Sequence, residues 1–184
     1  MKSEQTHIFS FQKAEQLDGK LRRLLQNPFK ILTPYISEGM TVLDYGCGNG
    51  YFSIPLSKMV GDSGKVFAVD IQKEMLDKLS AKILALNISN ITAIHSGNDK
   101  LKLPVLADFA IAVYVVHEIP DQKKFFMDVF DLLKPTGKLL VIEPDFIVSG
   151  RKFNETLEFA KQAGFIENEK LNLLLSKSVI LLKN

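Results

Sequence analysis

Cysteine is almost missing from this chain: Cys47 is the single one among 184 residues. An intramolecular disulfide and a cysteine-built zinc cluster are therefore excluded, and the composition fits a reducing compartment. No run of 18 apolar residues is present, although 46% of the chain is hydrophobic and its mean hydropathy is +0.08, so no integral membrane association is expected. The first residues, Met1-Lys2-Ser3-Glu4, are polar and lack the apolar stretch of a secretory leader, which makes the cytoplasm the expected location. The 23 basic and 21 acidic residues form no basic stripe, and a net charge of +2 so dispersed disfavours a nucleic-acid partner. Internal repeats and low-complexity tracts are lacking too. No Gly-x-Gly-x-x-Gly fingerprint occurs, and no Gly-Lys-Ser/Thr follows the glycine-rich turn, which argues against a dinucleotide pyrophosphate site and excludes a Walker loop there.

What the chain does have is a glycine turn at the end of a strand. Thr41, Val42 and Leu43 are strand formers, and Asp44-Tyr45-Gly46-Cys47-Gly48-Asn49-Gly50 follows. Three alternate glycines leave no Cβ in the way of a ligand and permit positive φ. Cys47 between two of them reads as a compact filler rather than a nucleophile. A second apolar run, residues 65–70, ends in an acid, Asp70, 20 positions beyond Gly50. In doubly wound folds a carboxylate so placed holds a ribose diol.

Around this turn, apolar spacing predicts an amphipathic helix over 11–25 and a short helix over 28–36. Pro55 is tolerated only in a first turn, so the next helix is expected from about 51 to 60. A helix over 72–86 should bury Met75, Leu76, Leu79, Ile83 and Leu84, and strands are expected at 91–95 and 108–114. Asp121 reads as the cap of a helix carrying Phe125, Phe126, Val129, Phe130 and Leu133. A turn at 135–137, a strand at 138–143, a loop to 150, a helix over 153–163 ended by Gly164, and a hairpin of 165–174 with 178–183 complete the reading. Alternation of strand and helix gives an α/β doubly wound fold in a single domain, 1–184, with its ligand at the carboxyl ends of the strands.

Asp44-x-Gly46-x-Gly48-x-Gly50, with the strand ending at Asp70 and the stretches 109–121 and 132–144, resembles the cofactor site of class I S-adenosylmethionine-dependent methyltransferases, the UbiE-like small-molecule branch in particular. The likeness runs from Pro34 onward. It implies a Rossmann-like seven-stranded sheet, order 3-2-1-4-5-7-6 with strand 7 antiparallel and helices on both faces. It also implies that the helical segment 1–36 lies over or beside the cofactor cleft. S-adenosyl-L-methionine is the implied cofactor, held by Asp44, Gly46, Cys47, Gly48, Gly50, Asp70, Ile71, Asn98, Asp99 and Val113. Asn98 stands where the family more usually has an aspartate reading the adenine amino group, and an amide oxygen accepts that bond as well. Tyr114, His117 and Glu118 fall on the acceptor side, and neither a metal nor a particular catalytic residue is implied.

The expected partner is a small-molecule acceptor, and the oligomeric state a monomer or homodimer. Asn/Asp-Pro-Pro-Tyr/Phe, the mark of exocyclic-amine methylation, is absent after the fourth strand, where Val115-Val116-His117-Glu118 stands instead. A Pro-Cys nucleophile for cytosine C5 is also lacking. His117 beside Glu118 reads either as a base or as a wall of the cleft. Two alternatives remain at this stage: a binding protein that keeps the cofactor pocket as a sensor without turnover, and a nicotinamide-dependent oxidoreductase, which the glycine spacing opposes.

Overall fold

A computed structural model describes residues 26–97 and 101–184. The helix expected over 11–25 lies outside the described residues. Helix α1 (Pro28–Leu32) starts after Asn27, whose side chain accepts from the N–H groups of Phe29 and Lys30. Then follow β1 (Thr41–Tyr45), α2 (Ser53–Val60), β2 (Lys65–Asp70), α3 (Lys73–Ala85), β3 (Ile91–His95) and β4 (Ala107–Val113). A single 3₁₀ turn (Val116–Glu118) leads to α4 (Gln122–Leu132), β5 (Leu133–Pro144), α5 (Gly150–Gln162), β6 (Phe165–Lys170) and β7 (Ser176–Lys183).

The seven strands form one sheet in the order β3-β2-β1-β4-β5-β7-β6, as the resemblance implied. β1 to β5 run parallel, and β7 pairs antiparallel with both β5 and β6. Side chains alternate between two apolar layers. Val42, Phe109 and Ile111 pack with Leu32, Leu56 and Leu79 from α1 to α3, while Leu43, Ala110 and Ala112 pack with Phe125, Phe126 and Leu157 from α4 and α5. Both faces of the central strands are thus covered, which is why those strands read as continuous apolar runs. Each such buried large side chain contributes about 1.5–3 kcal/mol.

Several boundaries differ from the sequence reading. α2 begins at Ser53 rather than 51, because Tyr51 and Phe52 still belong to the turn; Pro55 keeps its place in the first turn. α1 ends at Leu32, and β4 spans Ala107–Val113. Leu84 is 80% exposed, since only Leu76 and Leu79 of α3 reach full burial against the sheet. β5 starts at Leu133, not 138, and Leu133 belongs to it rather than to the face of α4. Residues 135–137 are an irregularity within β5, where Thr136 adopts φ +63° and the pairing with β4 shifts between Ala107 and Phe109. α5 begins earlier, at Gly150, capped by the Ser149 hydroxyl, which accepts from the N–H of Lys152. The closing hairpin differs at its turn, β6 ending earlier, at Lys170, and β7 starting earlier, at Ser176. Among the described residues no helix is long and apolar enough to cross a membrane.

Candidate functional site

β1 and β4 lie side by side, and the chain leaves them in opposite directions across the sheet. At their carboxyl ends opens a cavity of about 960 Å³. One wall is the glycine turn. The N–H groups of Gly46 and Cys47 both donate to the Val69 carbonyl, at 2.8 and 3.0 Å, which bends the turn across the end of β2. All three glycines have positive φ, +74°, +53° and +88°. Their surroundings differ. A Cβ on Gly46 would stand 2.6 Å from a Val115 methyl, and one on Gly50 would drive into Leu79, whereas one on Gly48 meets nothing within 4 Å. Two glycines serve packing, and the third leaves bare backbone facing the cavity.

Asp70 sits on that same wall and is buried. Its Oδ2 accepts from the Gly48 N–H and its Oδ1 from the Gln72 N–H, each at 2.8 Å. A carboxylate offers about four acceptor positions, so two remain for hydroxyls of a ligand. Asp44, one strand over, is buried too, and the Ser53 hydroxyl donates to its Oδ2 at 2.5 Å. Burial pushes its pKa up to about 7, the Ser53 bond works against that rise, and the nearby Asp70 charge adds to it. Cys47 is buried, its thiol donates weakly to the Gly48 carbonyl at 3.5 Å, and burial raises its pKa far beyond the reactive range. The filler reading of Cys47 therefore stands.

Ile71 and Val113 line the cavity from either side, as do Ser96 and Gly97. The candidates that follow these two, Asn98 and Asp99, lie outside the described residues. His95, the last residue of β3, is bonded through Nε2 to the Ile71 carbonyl at 2.9 Å and so ties β3 to the turn after β2. Tyr114 also lines the cavity, its backbone at φ +58°, an uncommon conformation for a bulky residue. Its hydroxyl is bonded to the Ser176 hydroxyl at 2.6 Å, so the ring serves as a wall.

His117 and Glu118 stand opposite the glycine turn, on the 3₁₀ turn after β4. The Nδ1 of His117 is hydrogen-bonded to Oε2 of Glu143, at the end of β5, while its Nε2 lies 4.0 Å from Glu118 Oε1. Burial alone would lower the His117 pKa; the hydrogen bond and charge of Glu143, with Glu118, outweigh it and raise the pKa above its ordinary value. Glu143 is 1% exposed, and its Oε1 accepts from the Val116 N–H at 2.9 Å. Sequence reasoning missed this residue, taking it as a strand terminus; an acid closing an apolar strand, as Asp70 does, was the available sign. Ser53, Tyr51, Phe146 and Ile147 were missed as well. Phe146, 76% exposed, and Ile147 form an apolar lip that no periodicity marks.

The residues present suit an S-adenosylmethionine. Bare backbone at Gly48 admits its close approach, Asp70 has acceptor positions for ribose hydroxyls, and among the described residues no lysine or arginine lines the cavity to oppose a cationic ligand. A family model described as "Methyltransferase domain" matches residues 36–177. The demethylmenaquinone methyltransferase of Oceanobacillus iheyensis is 32% identical over 111 residues, 59% of this chain and 46% of that protein. A ubiquinone/menaquinone biosynthesis C-methyltransferase UbiE of an Enterobacter strain is 30% identical over 110 residues, 59% of this chain and 44% of that protein. The match thus spans less than half the length of both. A crystal structure of a SAM dependent methyltransferase from Aquifex aeolicus superposes with a TM-score of 0.82 at 29% identity, covering 96% of this chain and 100% of the other. Sheet order, glycine turn and matched span agree: this chain belongs to the methyltransferase domain family, as a class I, UbiE-like member whose cofactor is S-adenosyl-L-methionine.

Proposed function

We propose that the chain transfers a methyl group from S-adenosylmethionine to a small, flat, apolar acceptor carrying a weakly acidic hydroxyl. The observation that supports this reading best is the make-up of the cavity. Its β1–β2 side offers the carboxylates of Asp44 and Asp70 and the bare backbone of Gly48, and its other side is apolar, with Ile119, Pro120, Phe146 and Ile147 around His117. One side suits a nucleoside with a charged amino-acid tail, the other an aromatic ring. The names of the curated relatives, a demethylmenaquinone methyltransferase and a ubiquinone/menaquinone biosynthesis C-methyltransferase, favour the same acceptor class.

Within this reading Asp70 accepts from the ribose hydroxyls, Gly48 gives its backbone to the cofactor, and Asp44 faces the ammonium end. The cofactor supplies the reactive sulfonium carbon. The chain's part is positioning and exclusion of water, which is worth about 7–11 kcal/mol in well-oriented reactions. Calorimetric titration with S-adenosylhomocysteine and, separately, with NADH tests the cofactor half of this reading: saturable binding of the first alone is expected, and Asp70→Ala should abolish it. Turnover of S-adenosylmethionine with 1,4-naphthohydroquinone tests the acceptor half. Binding without turnover would identify a sensor instead.

A further inference from the structure

We infer that Glu143 and His117 form a proton-accepting pair, with His117 Nε2 as the atom that takes the acceptor's proton and Glu143 as the residue that positions it. The inference rests on the methyl-transfer reading above and gives its site a base. An ionised carboxylate only accepts hydrogen bonds, and both oxygens of Glu143 are used, Oε1 by the Val116 N–H and Oε2 by His117 Nδ1. The proton of neutral His117 therefore resides on Nδ1. Nε2 is left with its lone pair, on a residue that lines the cavity. Because Glu143 is buried and anchored by a backbone N–H of the turn that carries His117, ring orientation and tautomer are fixed together.

Further bonds hold that turn. Gln122 Nε2 donates to the Val116 carbonyl at 3.1 Å, and the Thr156 hydroxyl on α5 donates to Gln122 Oε1 at 2.9 Å. The charged groups acting on His117 are Glu143 from β5, Glu118 from its own turn and Lys152 from α5. The two carboxylates favour the imidazolium that forms when Nε2 takes a proton, and Lys152 opposes it.

The chemistry of the pair also selects its acid. An imidazole whose basicity the neighbouring carboxylates raise draws a proton from a group of pKa about 8–10, such as an aryl hydroxyl or a thiol, far better than from an alkyl alcohol. The apolar lip of Ile119, Pro120, Phe146 and Ile147 favours the aryl hydroxyl. In the balanced step the carbon–sulfur bond breaks with its electron pair on sulfur, and a pair from the acceptor forms the new bond to the methyl carbon. One proton leaves the acceptor for Nε2, which later returns it to water.

Glu143→Gln is close to isosteric and tests the pairing. Its amide oxygen still accepts from the Val116 N–H, but its NH₂ donates to Nδ1 and drives the ring proton onto Nε2. Long-range ¹H–¹⁵N spectra of the labelled chain read this without turnover. The wild type should show neutral His117 protonated on Nδ1, and Glu143→Gln should move the proton to Nε2 and lower the pKa. With 1,4-naphthohydroquinone, kcat should fall about 10²- to 10⁴-fold while KM holds, as the loss of the orienting carboxylate does in other histidine–carboxylate pairs. His117→Gln, which still donates to Glu143, should lose the same kcat and the acidic limb of the pH profile, with S-adenosylhomocysteine binding retained in both variants.

A wild-type His117 protonated on Nε2, or a Glu143→Gln chain with unchanged tautomer, pKa and kcat, would overturn the pair. So would a wild type that binds S-adenosylhomocysteine but methylates phenethylamine and not the hydroquinone, or neither. If the wild type fails to bind S-adenosylhomocysteine at all, it is the methyl-transfer reading that falls, and the spectra still judge the pairing separately.

Discussion

Gly46 and Gly48 are two positions apart, and alanine should do different damage at each. At Gly46 the new methyl meets Val115 at 2.6 Å, so a loss of stability is expected, on the scale of about 1–3 kcal/mol for overpacking plus the strain of positive φ. At Gly48 the space is open, so a urea titration should show only the conformational cost of about 1–2 kcal/mol, while calorimetry with S-adenosylhomocysteine should show affinity lost at least tenfold. Equal affinity in Gly48→Ala and the wild type would contradict the bare-backbone reading of that position. The sequence displayed the glycines but could not divide their tasks, because Val115 and Leu79 come from elsewhere in the chain. Asp70 was legible, being an acid at the end of an apolar run. Glu143 had the same appearance, yet its meaning depends on His117, 26 positions away, whose ring it meets only across the β4–β5 pair.

The start of α4 was legible from its cap. Asp121 caps α4 as its position suggested, its carboxylate accepting from the Lys124 N–H at 2.9 Å. Asp121→Ala should cost about 0.5–2 kcal/mol, read as a fall in Tm of about 2–4 °C per kcal/mol for a domain of this size. Because α4 carries Gln122, which holds the Val116 carbonyl, turnover should fall together with Tm. An unchanged Tm would show that this cap does not support the helix. The start of β5 was less legible. The irregularity at 135–137 was read as a turn because Pro135, Thr136 and Gly137 are turn residues, and only the pairing of Leu133 with Ala107 makes it part of β5. Leu84 fell on the expected face of α3 by spacing, but that helix reaches the sheet through a narrower stripe.

At the scale of the whole molecule, a chain with a net charge of +2 keeps its cavity acidic, lined by Asp44, Asp70 and Glu118 and, among the described residues, by no lysine or arginine. Asp44 and His117 both have pKa values raised by the fold. The folded state therefore favours their protonated forms; the stability this gives is full below the unfolded values, 3.8 and 6.5, and is lost as pH rises through the folded ones. The difference in urea midpoint between Asp44→Asn and the wild type should thus grow in favour of the variant from pH 4 to about 7, the pKa of Asp44 in the fold. A constant difference would mean that Asp44 titrates normally. The ammonium of a bound S-adenosylhomocysteine, placed beside Asp44 in the reading above, favours the ionised carboxylate, so stabilisation by that ligand should increase over the same range. Strand order was legible only through family likeness, since nothing local to residues 165–183 says that β7 inserts between β5 and β6. That insertion has a consequence during synthesis. β6 leaves the ribosome before its single sheet partner, and the open edge of β5, with Glu143 on it, waits for the same strand. Until β7 arrives, the nascent chain carries two unpaired edges, and this interval is when a chaperone has most to protect.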